Sequence, residues 1–198
     1  MADRETLSVY DAKADDYAGL VSSLEPDHHL KAFMQALPKG GCVLDLGCGP
    51  GRAADFMIKA GFVVDAWDAS SEMARIGNET FGLEVYVKGF SDLDAVAVYD
   101  GIYANFSLLH APKSDMPAHL SRIANALRPG GQFHIGTKTG TGENRDSIGR
   151  FYAYYTDDEL TGLLGDAGFT VQTRATGRTF GLDGVEAPLI VMRATLDD

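Results

Sequence analysis

Asp45, Gly47, Cys48, Gly49, Gly51 and Arg52 fall within one short stretch, directly after the apolar run Cys42-Val43-Leu44. An acidic residue followed by three glycines in five positions is suited to holding a ligand against bare backbone, because no Cβ stands in the way. Glycine also supplies the dihedrals of a strand-to-helix turn. The amides of the helix start then face the crevice beyond the strand's carboxyl end, where open α/β sheets bind ligands. A nicotinamide or flavin site needs the pattern G-x-G-x-x-G. The spacing here is G-x-G-x-G, and Arg52 occupies the place of the third glycine. Asp45 would repel a pyrophosphate but attract an ammonium or sulfonium group. The chemistry written in this loop is that of a ligand with a cationic amino-acid end.

A second carboxylate, Asp68, ends the next β-type run, Phe62 to Trp67. A carboxylate at that place can accept hydrogen bonds from both hydroxyls of a ribose. The competing reading is a helix-start carboxylate, a task to which Ser70 is better suited. The glycine loop, together with Asp68-Ala69-Ser70-Ser71-Glu72-Met73, resembles motif I and the following acidic segment of the class I S-adenosylmethionine-dependent methyltransferases. The resemblance implies S-adenosyl-L-methionine as cofactor. It implies that the amides near Gly47, Cys48 and Gly49 hold the methionine end, with Asp45 supporting the loop or the ammonium. Asp68 and Ala69 would then meet the ribose, and Met73 the adenine. Arg52 would reach the methionine carboxylate or tie down the loop.

In the resembled family an acidic residue commonly follows the glycine after strand three and reads the adenine amino group. Here that position is Phe90. Phe90 and Ser91 are expected to line the site, with Ser91 main-chain groups, Asp92 or stacking on Phe90 substituting for the acid. Asn105 and Phe106, at the tip of strand four, should lie near the sulfonium. The stretch Tyr99 to Pro112 is similar to a tellurite-resistance-like subgroup, whose strand-four tip reads "SLLH-x-P". His110 is either a general base or a cap of the following loop. His110 and Tyr154 are the catalytic candidates, and no obligatory base is assigned.

These residues require a scaffold of alternating strands and helices. Residues 8–20 are predicted to form a helix with Ser8 as N-cap, placing Tyr10 and Tyr17 on one face. That face is a core stripe or a lid; the resemblance implies a lid with a tyrosine, Tyr17, near the cofactor. A second helix follows Pro26 and runs to Leu37. His28 and His29 diverge by about 100° on it, so they cannot share a metal, and none is expected. Helices over 52–60 and 114–127 alternate with strands over 62–67, 83–88, 99–104 and 132–137, the last preceded by the turn Arg128-Pro129-Gly130-Gly131. Residues 138–155 carry three glycines and the cluster Phe151-Tyr152-Ala153-Tyr154-Tyr155. They form a substrate loop or an excursion packed on the core. Thr156-Asp157-Asp158-Glu159 is a capping box that starts a helix to Ala167. The runs 169–176 and 188–194 pair antiparallel.

The alternation itself establishes an α/β layer fold. The resemblance implies a Rossmann-like, seven-stranded, mostly parallel sheet with helices on both faces, the last strand antiparallel, and an N-terminal helical lid. One domain is expected over 1–198, with 1–38 as cover.

Composition narrows the partners. The chain has 198 residues, 45% hydrophobic and 23% charged, with a formal net charge of -11. Such acidity disfavours a nucleic-acid backbone as partner. No apolar run approaches the roughly 18–20 residues of a membrane span, and the first residues lack a basic-then-apolar leader pattern. The expectation is a cytoplasmic protein without membrane or nucleic-acid partner. Cys42 and Cys48 are too few for a disulfide framework. Two functions suit these features: methyl transfer to a small-molecule acceptor, or S-adenosylmethionine sensing without transfer. A nicotinamide oxidoreductase is disfavoured by Arg52 and Asp45. Nothing in the chain specifies an oligomeric state.

Overall fold

In the computed structural model, residues 3–20 and 23–197 are described. Seven strands form one sheet: β1 (Cys42–Leu46), β2 (Val63–Asp68), β3 (Val85–Val87), β4 (Tyr99–Asn105), β5 (Leu127–Lys138), β8 (Phe169–Phe180) and β9 (Glu186–Leu196). Their spatial order is β3-β2-β1-β4-β5-β9-β8. Pairings among β1 to β5 are parallel, whereas β9 runs antiparallel to both β5 and β8. The chain leaves β1 towards β2 on one side and returns to β4 on the other. That reversal opens a crevice at the carboxyl ends of β1 and β4, where such sheets place ligands.

The helices are α1 (Arg4–Ala12), α2 (Ala14–Leu20), α3 (His28–Gln35), α4 (Arg52–Lys59), α5 (Ser71–Phe81), α6 (Met116–Ala126) and α7 (Asp157–Asp166). The sheet is covered on both faces, so its central strands are continuous apolar runs. On one side Leu44, Leu46, Ile102, Phe133 and Ile135 join Leu120 and Ile123 of α6 and Leu160 and Leu164 of α7. On the other, Val43 and Tyr103 pack with Leu30 and Phe33 of α3 and Met57 of α4. Alternate residues of β1 serve opposite layers, as the period of a strand requires.

Several boundaries differ from expectation. The predicted helix over 8–20 is two helices. Asp3 caps α1 by accepting from Thr6 N at 2.9 Å, so the helix starts ahead of Ser8, whose hydroxyl bonds back to Arg4 O at 3.0 Å. Lys13 leaves helical geometry and divides α1 from α2. Arg128 to Gly131 bulge out within β5 instead of preceding it, as the register jumps from Tyr99↔Leu127 to Gly101↔Gln132. The stretch 138–155 is not an open loop. It contains a ribbon of β6 (Glu143–Arg145) and β7 (Phe151–Ala153), paired antiparallel. Thr156 does cap α7, accepting from Glu159 N at 3.2 Å. Among the described residues no helix is long and apolar enough to cross a membrane.

Candidate functional site

Two cavities meet in the crevice. One encloses about 650 Å³ including its mouth and is lined by Tyr10, Asp68, Ala69, Met73, Phe90, Phe106 and His110, among others. The other, about 950 Å³ by the same measure, is lined by Asp45, Cys48, Arg52 and Tyr103, among others. Tyr17, Gly47, Gly49 and Asn105 border both.

Gly47 is where the loop touches strand four. Its φ is +76°, and a Cβ there would lie 2.3 Å from Ser107 Cβ. Ser107 in turn donates its hydroxyl to Leu46 O at 2.6 Å. The tips of β1 and β4 are thereby sewn together with only a hydrogen atom's width for residue 47.

Asp68 ties the glycine loop to the start of α5. Its Oδ2 accepts from Gly49 N and its Oδ1 from Ser70 N, each at 2.8 Å. Ser70 Oγ accepts from Met73 N at 3.1 Å and donates to Asp11 at 2.5 Å, making it the cap of α5. Burial pushes the Asp68 carboxyl up, against the amides of Ser70 and Gly49. A carboxylate accepts about four hydrogen bonds, so acceptor capacity remains towards the cavity that Asp68 lines.

The loop amides that the resemblance assigns to the methionine end have partners within the protein. Gly47 N and Cys48 N both donate to Trp67 O, at 2.8 and 2.9 Å, and Gly49 N is held by Asp68. The end of β2 folds back on the loop and uses these donors. Asp45 has the opposite character: it is 3% exposed, and its Oδ2 has no hydrogen-bond partner. Burial raises its pKa to about 7, against the Ala54 amide and with the Asp68 charge adding to the rise. Cys48 borders the same cavity, and burial pushes its thiol up. A buried, half-satisfied carboxylate calls for a cation.

Arg52 binds the segment that leads into α3. Its Nε donates to Ser23 O at 2.7 Å, its Nη2 reaches the same oxygen, and the guanidinium lies 4.4 Å over Phe56. Phe90 lines the first cavity and meets His119 edge-on at 5.5 Å. Ser91 is exposed on the short turn Phe90–Asp92 and borders neither cavity. Tyr154 also borders neither; its ring stacks on Tyr152 at 6.1 Å. Tyr155 is fully buried in the main core. The rings of Tyr152 and Tyr155 therefore pack inward, while Tyr154 is partly exposed outside both cavities.

His110 lies in the first cavity, but its polarity is fixed. Nδ1 sits 2.7 Å from Phe151 O; a carbonyl only accepts, so Nδ1 carries the proton. Burial lowers the imidazole to about 4, assisted by the positive Arg150 and Lys138. The neutral ring's Nε2 then accepts the Tyr10 hydroxyl at 2.8 Å, and Tyr10 accepts from Arg150 Nη1 at 3.1 Å. The lone pair a general base would use is engaged by α1.

The same region contains groups that spacing along the chain did not signal. Arg150 is 2% exposed and pairs with Asp146 at 2.8 Å. Arg145 grips Asp3 with two nitrogens, each at 2.9 Å, and Phe151 N donates to Thr6 Oγ1 at 2.8 Å. The ribbon β6–β7 thus fastens α1 over the cavity. His134, buried in β5, lies 3.1 Å from Asn105 Oδ1 through Nε2, and burial lowers it to about 3. Sequence separations of 29 to 145 residues hide these contacts from any local pattern.

Residues 23–174 match a family model described as a methyltransferase domain. A ubiquinone biosynthesis O-methyltransferase from Xanthomonas axonopodis pv. citri is 33% identical over 107 residues, 50% of this chain and 44% of that protein. A trans-aconitate 2-methyltransferase from Mycolicibacterium gilvum is 34% identical over 90 residues, 44% of this chain and 34% of that protein. The matched stretch thus spans less than half the length of these curated relatives. Among solved structures, a 1,6-didemethyltoxoflavin N1-methyltransferase from Burkholderia thailandensis, holding its acceptor and S-adenosylhomocysteine, superposes with a TM-score of 0.74 at 26% identity. The match covers 98% of this chain and 88% of that one.

Proposed function

Because the chain belongs to the methyltransferase-domain family, we propose that it transfers the methyl group of S-adenosylmethionine to a small-molecule acceptor seated beneath α1. The observation that carries the proposal is the pair of confluent cavities, one with the unpartnered Asp45 carboxylate and the other with Asp68 at a strand tip. The residues present fit this cofactor: a buried acid for an ammonium, a strand-end acid for a ribose, and Met73, Phe90 and Ala69 as apolar surface for an adenine. When bound, S-adenosylmethionine supplies a methyl group already activated on sulfur.

The chain's own work is then alignment and exclusion of water. Alignment of two reactants is worth roughly 7–11 kcal/mol in favourable cases. Tyr17 and Asn105, the side chains common to both cavities, flank the place where the reactants must meet. The α1 helix, clamped by Arg145, Arg150 and Phe151, covers the acceptor side. No general base is part of the proposal, since His110 is engaged by Tyr10. Small organic acceptors are supported by the relatives, whose names specify a ubiquinone precursor pathway, trans-aconitate and a didemethyltoxoflavin. The tellurite-resistance-like assignment rests on the stretch Tyr99 to Pro112, and among the described residues no group lining the cavities favours a metalloid over a carbon, nitrogen or oxygen acceptor.

Thermal unfolding tests the cofactor side. S-adenosylhomocysteine at ~1,000 times its dissociation constant should add about 4 kcal/mol of stability, and NADH should add none. A chain indifferent to S-adenosylhomocysteine would remove the proposal. On the acceptor side, labelled methyl transfer to phenols, carboxylic acids and nitrogen heterocycles should identify a product, whereas cofactor binding without any product would favour a sensor.

A further inference from the structure

The committed amides leave the second cavity with a problem. It holds a carboxylate for the ammonium of the amino-acid end, but four amides of the loop are already engaged within the protein. Gly47 N and Cys48 N are bound to Trp67 O, Gly49 N to Asp68, and Gly51 N to Cys48 O. Arg52 is bound to Ser23 and lies 3.4 Å from Asp55. A carboxylate drawn out of water into such a place needs donors to replace its hydration.

Resting on the cofactor reading above, we infer that Asn105, oriented by His134, donates its side-chain amide to the α-carboxylate of S-adenosylmethionine. Asn105 ends β4 two residues beyond Tyr103, which pairs with Asp45 in β1. It therefore stands across from the glycine loop, bordering both cavities. Its carbonyl oxygen faces away from them. It lies over Gly136, where a Cβ would be 2.4 Å from Oδ1, and it takes the Nε2 proton of His134. His134 cannot turn: it is 1% exposed and stacks on Tyr103 at 4.1 Å. An amide group is planar, so fixing its oxygen against His134 and Gly136 directs its two N–H bonds the other way. Those donors add to whatever the helix start offers the same group.

His134 is a positioning residue in this account, acting only through Asn105. The glycine at 136 belongs to the same device, since any side chain there would expel the Asn105 oxygen.

The test compares two probes by calorimetry: S-adenosylhomocysteine and its decarboxylated analogue, which keeps the adenosine, thioether and ammonium. A hydrogen bond to a charged group is worth roughly tenfold or more in affinity, so the wild-type chain should prefer S-adenosylhomocysteine by at least that factor. Asn105→Asp, nearly isosteric, should bring the preference below one by facing a carboxylate with another. His134→Gln, which keeps an N–H for Asn105, should retain the preference, and His134→Phe should reduce it several-fold. Melting curves without ligand report whether each variant folds; should Asn105→Asp not fold, Asn105→Ala carries the test, with the preference falling towards one. An unchanged preference in Asn105→Asp or Asn105→Ala overturns the inference. So does an equal loss for both probes, which would place Asn105 on the adenosine side or in the scaffold. A wild-type chain that binds neither probe overturns the cofactor reading as well.

Discussion

Asp45 makes the cofactor reading measurable through pH. Burial raises its carboxyl from 3.8 to about 7 in the folded chain, so the folded state holds this proton more tightly than the unfolded state. For an acid whose pKa is raised, stability is lost as pH climbs from the unfolded value to the folded one. Between pH 5 and pH 8 the loss at this site is about 2–3 kcal/mol, at 1.36 kcal/mol per pKa unit. Asp45→Asn keeps an oxygen for the Ala54 amide but cannot ionise. The wild-type chain should therefore fall relative to Asp45→Asn by roughly 4–12 °C in melting temperature over that range, taking about 2–4 °C per kcal/mol for a domain of this size. Ligand should have the reverse pH dependence. S-adenosylhomocysteine should bind the wild-type chain up to about tenfold tighter for each pH unit gained below 7, because its ammonium requires the ionised acid. Asp45→Asn should bind more weakly at pH 8 and show little of that slope. Scanning calorimetry at pH 5 to 8.5, with and without ligand, reads both effects. Parallel profiles for the two chains would refute the assignment of Asp45 as a buried acid that awaits a cation.

Other perturbations follow from the same geometry. Gly47→Ala should destabilise by at least about 3 kcal/mol, since it combines a positive φ with a collision at Ser107. Gly61→Ala, also at positive φ but with open space around it, should cost only about 1–2 kcal/mol; equal effects in urea unfolding would contradict the close approach. Asp68→Ala should abolish the S-adenosylhomocysteine melting shift while lowering the ligand-free stability by about 1–3 kcal/mol, as two amides lose their acceptor. Arg150→Met removes the guanidinium that pairs with the buried Asp146 and should cost about 3–5 kcal/mol in denaturant titration. Arg150→Lys should restore little, lacking the second arm that reaches Tyr10.

The parts of the fold that were legible along the chain are those governed by near neighbours. The glycine loop, the helix start at Thr156, the cap at Ser70 and the strand ending in Asp68 each declare themselves within a few residues. Their physics is local: a positive φ, an amide seeking a cap, an apolar period. The start of α1 was missed because Asp3 caps it while Arg145, far along the chain, grips the same carboxylate. The bulge at Arg128 to Gly131 was invisible as such, because only pairing with β4 shows the register jump. Tyr154 and Tyr155 carry the composition of a substrate pocket, yet their rings fill space against Tyr152 and the core.

By itself the sequence determined the alternation of the main sheet's strands with helices, the presence of a glycine turn and the acidic residues at the ends of β1 and β2. The tertiary structure alone decided how those groups are used. It committed the loop amides to Trp67, left Asp45 without a full set of partners, turned the Asn105 oxygen towards His134 and closed His110 with Tyr10. The reason is that a hydrogen bond has two ends and a limited number of lone pairs. Which donor is already engaged depends on residues brought together by folding, and no spacing along one strand records it.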